Sequence, residues 1–450
     1  MPPFVDSLVV LGVILIISRF VKRGSRTLQH LFIPSALVAG LAGLLLGPQV
    51  FGFIDAETTR YWAQLPRHLI TIVFAGLFLG KVIPGRREIW KSAGPMVAFG
   101  STMAWGQYVI GIGLTMLVLT PLFGTNELAG SLIEISFAGG HGTAAGLAPT
   151  FEQFGWAEGT DIALALATLS IFVAVITGIV IINIHHRRTG KADEEGWEEQ
   201  RRQLARGGYN LISFTQRLNT NPKAVAINAV AFAAAIGLGW SILQGLIWAE
   251  SVVLGPFTDV RFFEYLPLFP LAMIGGLVLQ LMLRKLKKQH FIQRRTAEIF
   301  SAIALDLLIA SAIATVSLSA IGHNLAVFVA FGVAGVAWII GCFKFLAPRM
   351  FPAHWFEHGI TDYGQAMGMT ATGLLLNRLV DPSNKLKIRE SFAYKQLIYE
   401  PFLGGGIITA TSIIVIYHAG TMISLIGAGI VTIVWLVVGL RLGKGAHRAP

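Results

Sequence analysis

Long apolar runs restrict this chain more than any other feature. The stretches 4–20, 93–122, 160–184, 224–247 and 325–346 carry few or no charges. Each is close to the roughly 20 residues that a helix needs to cross a hydrocarbon core. Lipid offers no partner to a backbone N–H or C=O, so each such segment must satisfy its own groups as a helix. Further helices are predicted at 31–47, 64–82, 266–283, 297–321, 394–417 and 421–440. With 54% hydrophobic and 13% charged residues among 450, the chain reads as an all-α polytopic membrane protein.

The connections between these helices alternate in charge. One set carries Lys22, Arg23 and Arg26, then Lys81, Arg86, Arg87 and Lys91, then the 185–223 loop. It continues with 284–295, the 378–395 segment and the tail from Arg441. The other set holds Arg60, Arg67 and Arg261. Positive charge collects on the cytoplasmic side, which places the 185–223 loop and the C-terminus there and the chain in the cell inner membrane. The net charge of +11 is therefore a topology signal, not a nucleic-acid footprint. The first apolar stretch is followed by Val21-Lys22-Arg23-Gly24, not by a small-residue cleavage site, so it reads as a spanning helix. A single cysteine, Cys342, leaves no disulfide framework or cysteine metal site. His185 and His186 lack acidic or cysteine partners at metal spacing and read as part of a solvated loop.

This topology constrains two glycine-rich segments. Residues 128–158, with SFAGGHGTAAG at 136–146, leave from and return to the outer face. Residues 358–382, with YGQAMGMTATG at 363–373, do the same at the inner face. Each is expected to be a re-entrant hairpin whose non-helical tip is satisfied by protein or a water-filled cavity. The run FIPSALVAGLAGLLLG (32–47) resembles YLPLFPLAMIGGLVLQ (265–280), each the second helix of its half. Two repeats of opposite orientation follow, 1–184 and 224–417, joined by a cytoplasmic linker at 185–223. Residues 418–450 add an extra helix and a basic tail. Inverted repeats with broken elements near the midplane are characteristic of secondary transporters.

The run SFAGGHGTAAG, then FEQFGW (151–156) and ALALATLSIF (163–172), resembles the bacterial sodium/glutamate symporter family. FIPSALVAGLAG resembles that family's early glycine-rich helix. YGQAMGMTATG, followed by a helix with Glu400-Pro401, resembles its second glycine-rich loop. The resemblance implies two inverted five-helix repeats, each with a re-entrant loop. It also implies sodium-coupled uptake of glutamate or a related acidic amino acid, an elevator-like motion and a homodimer. Asp306, Glu400 and the DYGQAMGMTATG form of the second loop depart from the family pattern.

The candidate substrate-binding residues are Gly139, Gly140, His141, Gly142 and Thr143 on the first tip, and Tyr363, Gln365, Thr370 and Thr372 on the second. Candidate ion ligands are Asp306, Gly140, Gly368 and Thr370, with Na⁺ as coupling ion and no cofactor. Glycine tips free backbone amides for a carboxylate and carbonyls for a cation. The competing reading is helix-packing glycine. His141 is a donor for a carboxylate or a satisfied interior histidine. The threonine hydroxyls are ligands or bond back to their own helices. Asp306, an acid inside an apolar helix, is a functional hypothesis by default: it ligates Na⁺, carries a proton, binds an amine, or packs as a neutral acid. Glu134 is expected near the hairpin entrance, facing water. The helices at 31–47 and 266–283 are expected to use their glycines at a dimer contact. A carrier of another organic anion coupled to protons or sodium, a membrane enzyme using His141, and a channel are the alternatives. No nucleophile–base trio or metal cluster supports an enzyme.

Overall fold

A computed structural model describes residues 3–30, 33–83, 86–189, 221–253, 261–351, 353–382 and 384–446. Most of the 185–223 linker and the end of the basic tail lie outside these residues. The helices used below are α1 (Pro3–Gly24), α2 (Ser35–Leu46), α3 (Ala56–Ala75), α4 (Arg86–Leu114), α5 (Leu132–Phe137), α6 (Gly140–Gly146), α7 (Ala148–Gln153) and α8 (Glu158–Thr189). They continue with α9 (Pro222–Val253), α10 (Leu268–Lys285), α11 (Arg294–Ala314), α12 (Leu325–Phe345), α13 (Trp355–Val380), α14 (Ile388–Tyr399) and α15 (Ile407–Ala446). Among the described residues, eight helices are long and apolar enough to cross a membrane. The protein is a multi-pass helical membrane protein.

Several boundaries differ from the sequence reading for local reasons. α3 begins eight residues before the expected 64, because the Asp55 carboxylate accepts the Thr58 amide at 2.6 Å and caps it. It ends at Ala75, and Arg294 of α11 donates to the freed carbonyls of Gly76, Leu77 and Leu79. The 93–122 helix starts earlier and passes through a π turn at Thr115–Leu119. The expected 394–417 helix is two helices: α14 stops at Tyr399, Glu400–Gly406 is not helical, and α15 starts at Ile407. The expected extra helix at 421–440 is the second limb of α15, beyond a break at Gly420 with φ 81°.

Small residues set how closely these helices approach. A Cβ on Gly40 or Gly43 of α2 would strike Ile313 or Ala314 of α11, at 2.6 and 2.8 Å. On α10, Gly275 lies against the Ala235 carbonyl of α9, and Gly276 against the Ala75 carbonyl of α3. The glycines expected at a dimer contact are thus used within the chain, because glycine alone lets two helix backbones come this near. Two glutamines brace matching turns. Gln49 donates to the Val316 carbonyl and accepts the Leu318 amide, at 2.8 and 3.0 Å. Gln280 donates to the Lys81 carbonyl and accepts the Gly80 amide, both at 2.9 Å. Each satisfies a backbone N–H and C=O in the connection that follows a helix, α11 for Gln49 and α3 for Gln280, where no regular ladder supplies a partner.

Candidate functional site

Three helix interruptions come together in the core. The first lies between α5 and α6: the Gly139 amide closes onto the Glu134 carbonyl at 3.0 Å, and Gly140 takes φ 71°. The second splits α13 at Gly368 (φ −153°, ψ 32°) and Met369 (φ 65°, ψ 171°). The third is Glu400–Gly406, with Gly404 at φ 64° and Gly405 at φ 103°. Left-handed backbone costs about 1–2 kcal/mol for a residue with a Cβ, so glycine occupies most of these positions. A Cβ on Gly140 would touch the Met369 side chain at 3.7 Å, which brings the first two interruptions face to face. A Cβ on Gly404 would lie 3.4 Å from the Ala138 carbonyl, and one on Gly405 would run into Thr143 and Phe74. The third interruption therefore lies against the first.

Buried charge holds this meeting point. Glu134, expected to face water, is fully buried (0% exposed). One carboxylate oxygen accepts the Tyr108 hydroxyl at 2.7 Å; the other accepts the Gly404 amide at 2.8 Å and the Thr409 hydroxyl at 3.0 Å. Three donors from α4, the third interruption and α15 compensate for its removal from water. Lys395, counted by sequence among the cytoplasmic-face charges, is buried as well. Its ammonium pairs with Asp362 at 3.0 Å, the two side chains being 1% and 0% exposed. It also donates to Gln365 Oε1 and sits 4.0 Å from the Tyr399 ring centroid. Gly100 of α4 makes room: a Cβ there would lie 2.7 Å from Lys395 Nζ. Glu400 Oε1 accepts the Thr370 hydroxyl at 3.1 Å and the Gln396 amide at 3.0 Å, and Gln396 also donates to Thr370 at 2.6 Å.

The residues singled out by sequence distribute as follows. His141 is fully buried, and its Nε2 meets Thr168 Oγ1 of α8 at 2.9 Å. Thr168 gives its one hydroxyl proton to the Leu164 carbonyl, so His141 Nε2 is the donor between them. Its Nδ1 has no protein partner and is an acceptor while the ring is neutral. His141 therefore donates to a carboxylate through Nδ1 only as imidazolium. Thr143 bonds back to the Gly139 carbonyl at 3.1 Å, and Thr372 to the Gly368 carbonyl. A Cβ on Gly142 would press on Ile70 of α3. Tyr363 shares a hydrogen bond with Thr177 and reaches the Met367 sulfur at 3.6 Å. Gln365 and Thr370 lie in the Lys395 and Glu400 networks described above. Asp306 is seated against Arg19 of α1 at 2.9 Å. His185 and His186, expected in a solvated loop, belong to α8, where His185 stacks on Phe356 at 3.6 Å.

Sequence reasoning missed Asp362, Lys395 and Gln396. Asp362 stands inside the quoted glycine-rich run, and an acid there signals function by the same argument applied to Asp306. Lys395 carried no such signal, because a lysine beside a basic loop reads as a surface anchor.

Apolar spans, interrupted helices and buried charge where the interruptions meet define a polytopic membrane protein with a polar centre in its core. The family model described as sodium/glutamate symporter matches residues 4–347. The chain belongs to the sodium/glutamate symporter family, as the sequence resemblance implied. The matched region contains the first interruption and ends before α13 and α14. A comparison with curated proteins found no match.

Proposed function

We propose that the protein is a sodium-coupled symporter of glutamate or a related acidic amino acid, acting in the inner membrane and not as an enzyme. The observation that carries this reading is the convergence of the interruptions at Gly139–Gly140, Gly368–Met369 and Glu400–Gly406. Each exposes backbone groups that an unbroken helix would hide. Around them stand three buried acids, Glu134, Asp362 and Glu400, and two buried bases, Lys395 and His141. An excess of acid inside a low-dielectric core favours a bound cation or proton, which supports cation coupling. His141, as imidazolium, and amides at the start of α6 suit a substrate carboxylate. Thr370 and the carbonyl side of the second interruption suit Na⁺.

The same proposal includes two repeats of opposite orientation and an elevator-like movement of the interrupted helices against α2, α3, α10 and α11. The paired braces at Gln49 and Gln280 and the mutual packing of α2 on α11 and α10 on α3 support the repeats. A homodimer completes this reading. The test is uptake of radiolabelled glutamate into proteoliposomes with an inward Na⁺ gradient, a proton gradient, or neither. Na⁺-stimulated, saturable uptake is expected. Uptake driven by protons alone sinks the sodium assignment, and uptake of other carboxylates without glutamate sinks the substrate.

A further inference from the structure

The Glu400 network has acceptors left over. Its donors are the Thr370 hydroxyl and the Gln396 amide nitrogen, and both are engaged within the network. Glu400 Oε2 and Gln396 Oε1 are buried and have no protein partner. The residues are 8% and 3% exposed. Turning the Gln396 amide over would set its oxygen against the Glu400 carboxylate, so the observed orientation is the stable one. A carboxylate oxygen and an amide oxygen, both buried and both accepting, call for a donor, and the carboxylate's charge favours a cationic one. Lys81 and Lys395 lie within Coulombic range of Glu400, but neither hydrogen-bonds to Oε2.

The protein shows next door what such a pair holds. The Lys395 ammonium is held by one carboxylate oxygen, from Asp362, and one amide oxygen, from Gln365. Glu400 and Gln396 present the same two groups one helical turn apart on α14 and its end. A primary ammonium has three directional donors and is matched by a few acceptors, whereas a hard metal ion collects about six oxygens. The pair is also well placed: Thr370 joins it to the second interruption, whose Met369 packs against Gly140, the neighbour of His141.

We propose that Glu400 and Gln396 form the ammonium subsite of the transported amino acid and set the preference for amino acids over plain dicarboxylates. This rests on the amino-acid reading above. The test compares L-glutamate with glutarate, which has the same two carboxylates and no amine. Both are measured as labelled substrates in proteoliposomes and as stabilising ligands of the purified protein in thermal melts. In wild type, glutamate is expected to be preferred. Glu400→Gln is expected to lower glutamate kcat/KM about 10- to 100-fold, the loss of one charge-assisted hydrogen bond, while glutarate is unchanged. Gln396→Leu keeps the carboxylate and serves if Glu400→Gln does not fold; it is expected to move the same ratio. A structural role would lower both substrates alike, and that result overturns the proposal. An equal shift in the Na⁺ requirement for both substrates overturns it in favour of a metal-ion site. Wild type that transports no glutamate fails the substrate reading instead. The subsite is then tested by melts with other amino acids and their deamino analogues, and amine-independent stabilisation overturns it.

Discussion

Single buried residues set the polar centre, and the Lys395–Asp362 pair is the most demanding of them. Removing one member leaves an uncompensated charge in the core, which costs about 3–5 kcal/mol. Lys395→Met is therefore expected to lower the melting temperature of the purified protein sharply. Lys395→Met with Asp362→Asn is expected to recover much of the loss; no recovery would mean that the charge pair is not what Lys395 contributes. Glu134 joins α5 to α4, the third interruption and α15 through three accepted hydrogen bonds. Glu134→Gln retains an acceptor for Gly404 and Thr409 and is expected to keep part of the transport. Glu134→Ala strands those donors at about 1–3 kcal/mol each and is expected to lose it. Equal uptake by the two variants would refute that anchoring role. These residues also mark where sequence reading fails. Glu134 next to a hairpin reads as wet, and Lys395 next to a basic loop reads as an anchor. Their burial depends on elements about 270 residues away in one case and 33 in the other.

At the level of elements, backbone conformation decides. Gly140 and Gly405 both have positive φ, but the space around them differs. A Cβ at Gly140 meets only Met369 at ordinary contact distance, while one at Gly405 collides with Thr143 and Phe74. Gly140→Ala is expected to cost only the conformational penalty of about 1–2 kcal/mol, and Gly405→Ala more, read as an ordered pair of melting temperatures. The reverse order would contradict the packing described here. Helix ends carry their own prediction. The Thr58 amide on the Asp55 carboxylate holds that carboxyl below its ordinary value of 3.8. A depressed folded-state value means that the cap's contribution is present above about 3.8 and is lost as pH falls through the lower folded value. The stability difference between wild type and Asp55→Asn should thus shrink on acidification below that value; a difference independent of pH down to full protonation would remove the charged cap. The glycine-rich interruptions at 136–146 and 363–373 were legible because glycine clusters are costly in a helix. The third, at Glu400–Gly406, was not singled out, although Pro401 and the glycines 404–406 are its sequence signal.

For the whole molecule, the buried acids around the interruptions, Glu134, Asp362 and Glu400, outnumber the buried bases Lys395 and His141. Asp362→Asn combined with Lys395→Met leaves the balance unchanged and is expected to preserve the Na⁺ dependence of uptake, whereas Lys395→Met alone is expected to steepen it. Identical Na⁺ dependence in both would detach this charge balance from coupling. The amino-acid sequence by itself determined the all-helical membrane class, because long uncharged segments can satisfy their backbone in lipid only as helices. It also determined the family, through the run around GGHGT, and the first two interruptions, through glycines that a helix disfavours. Tertiary structure alone decided which polar groups share a site. Burial, partners and the meeting of Gly140 with Met369 depend on contacts between segments far apart in the chain, and a local pattern holds no record of them. That is why Asp306, the acid most conspicuous in sequence, is found paired with Arg19, while Asp362, Lys395 and Gln396 stand at the interruptions.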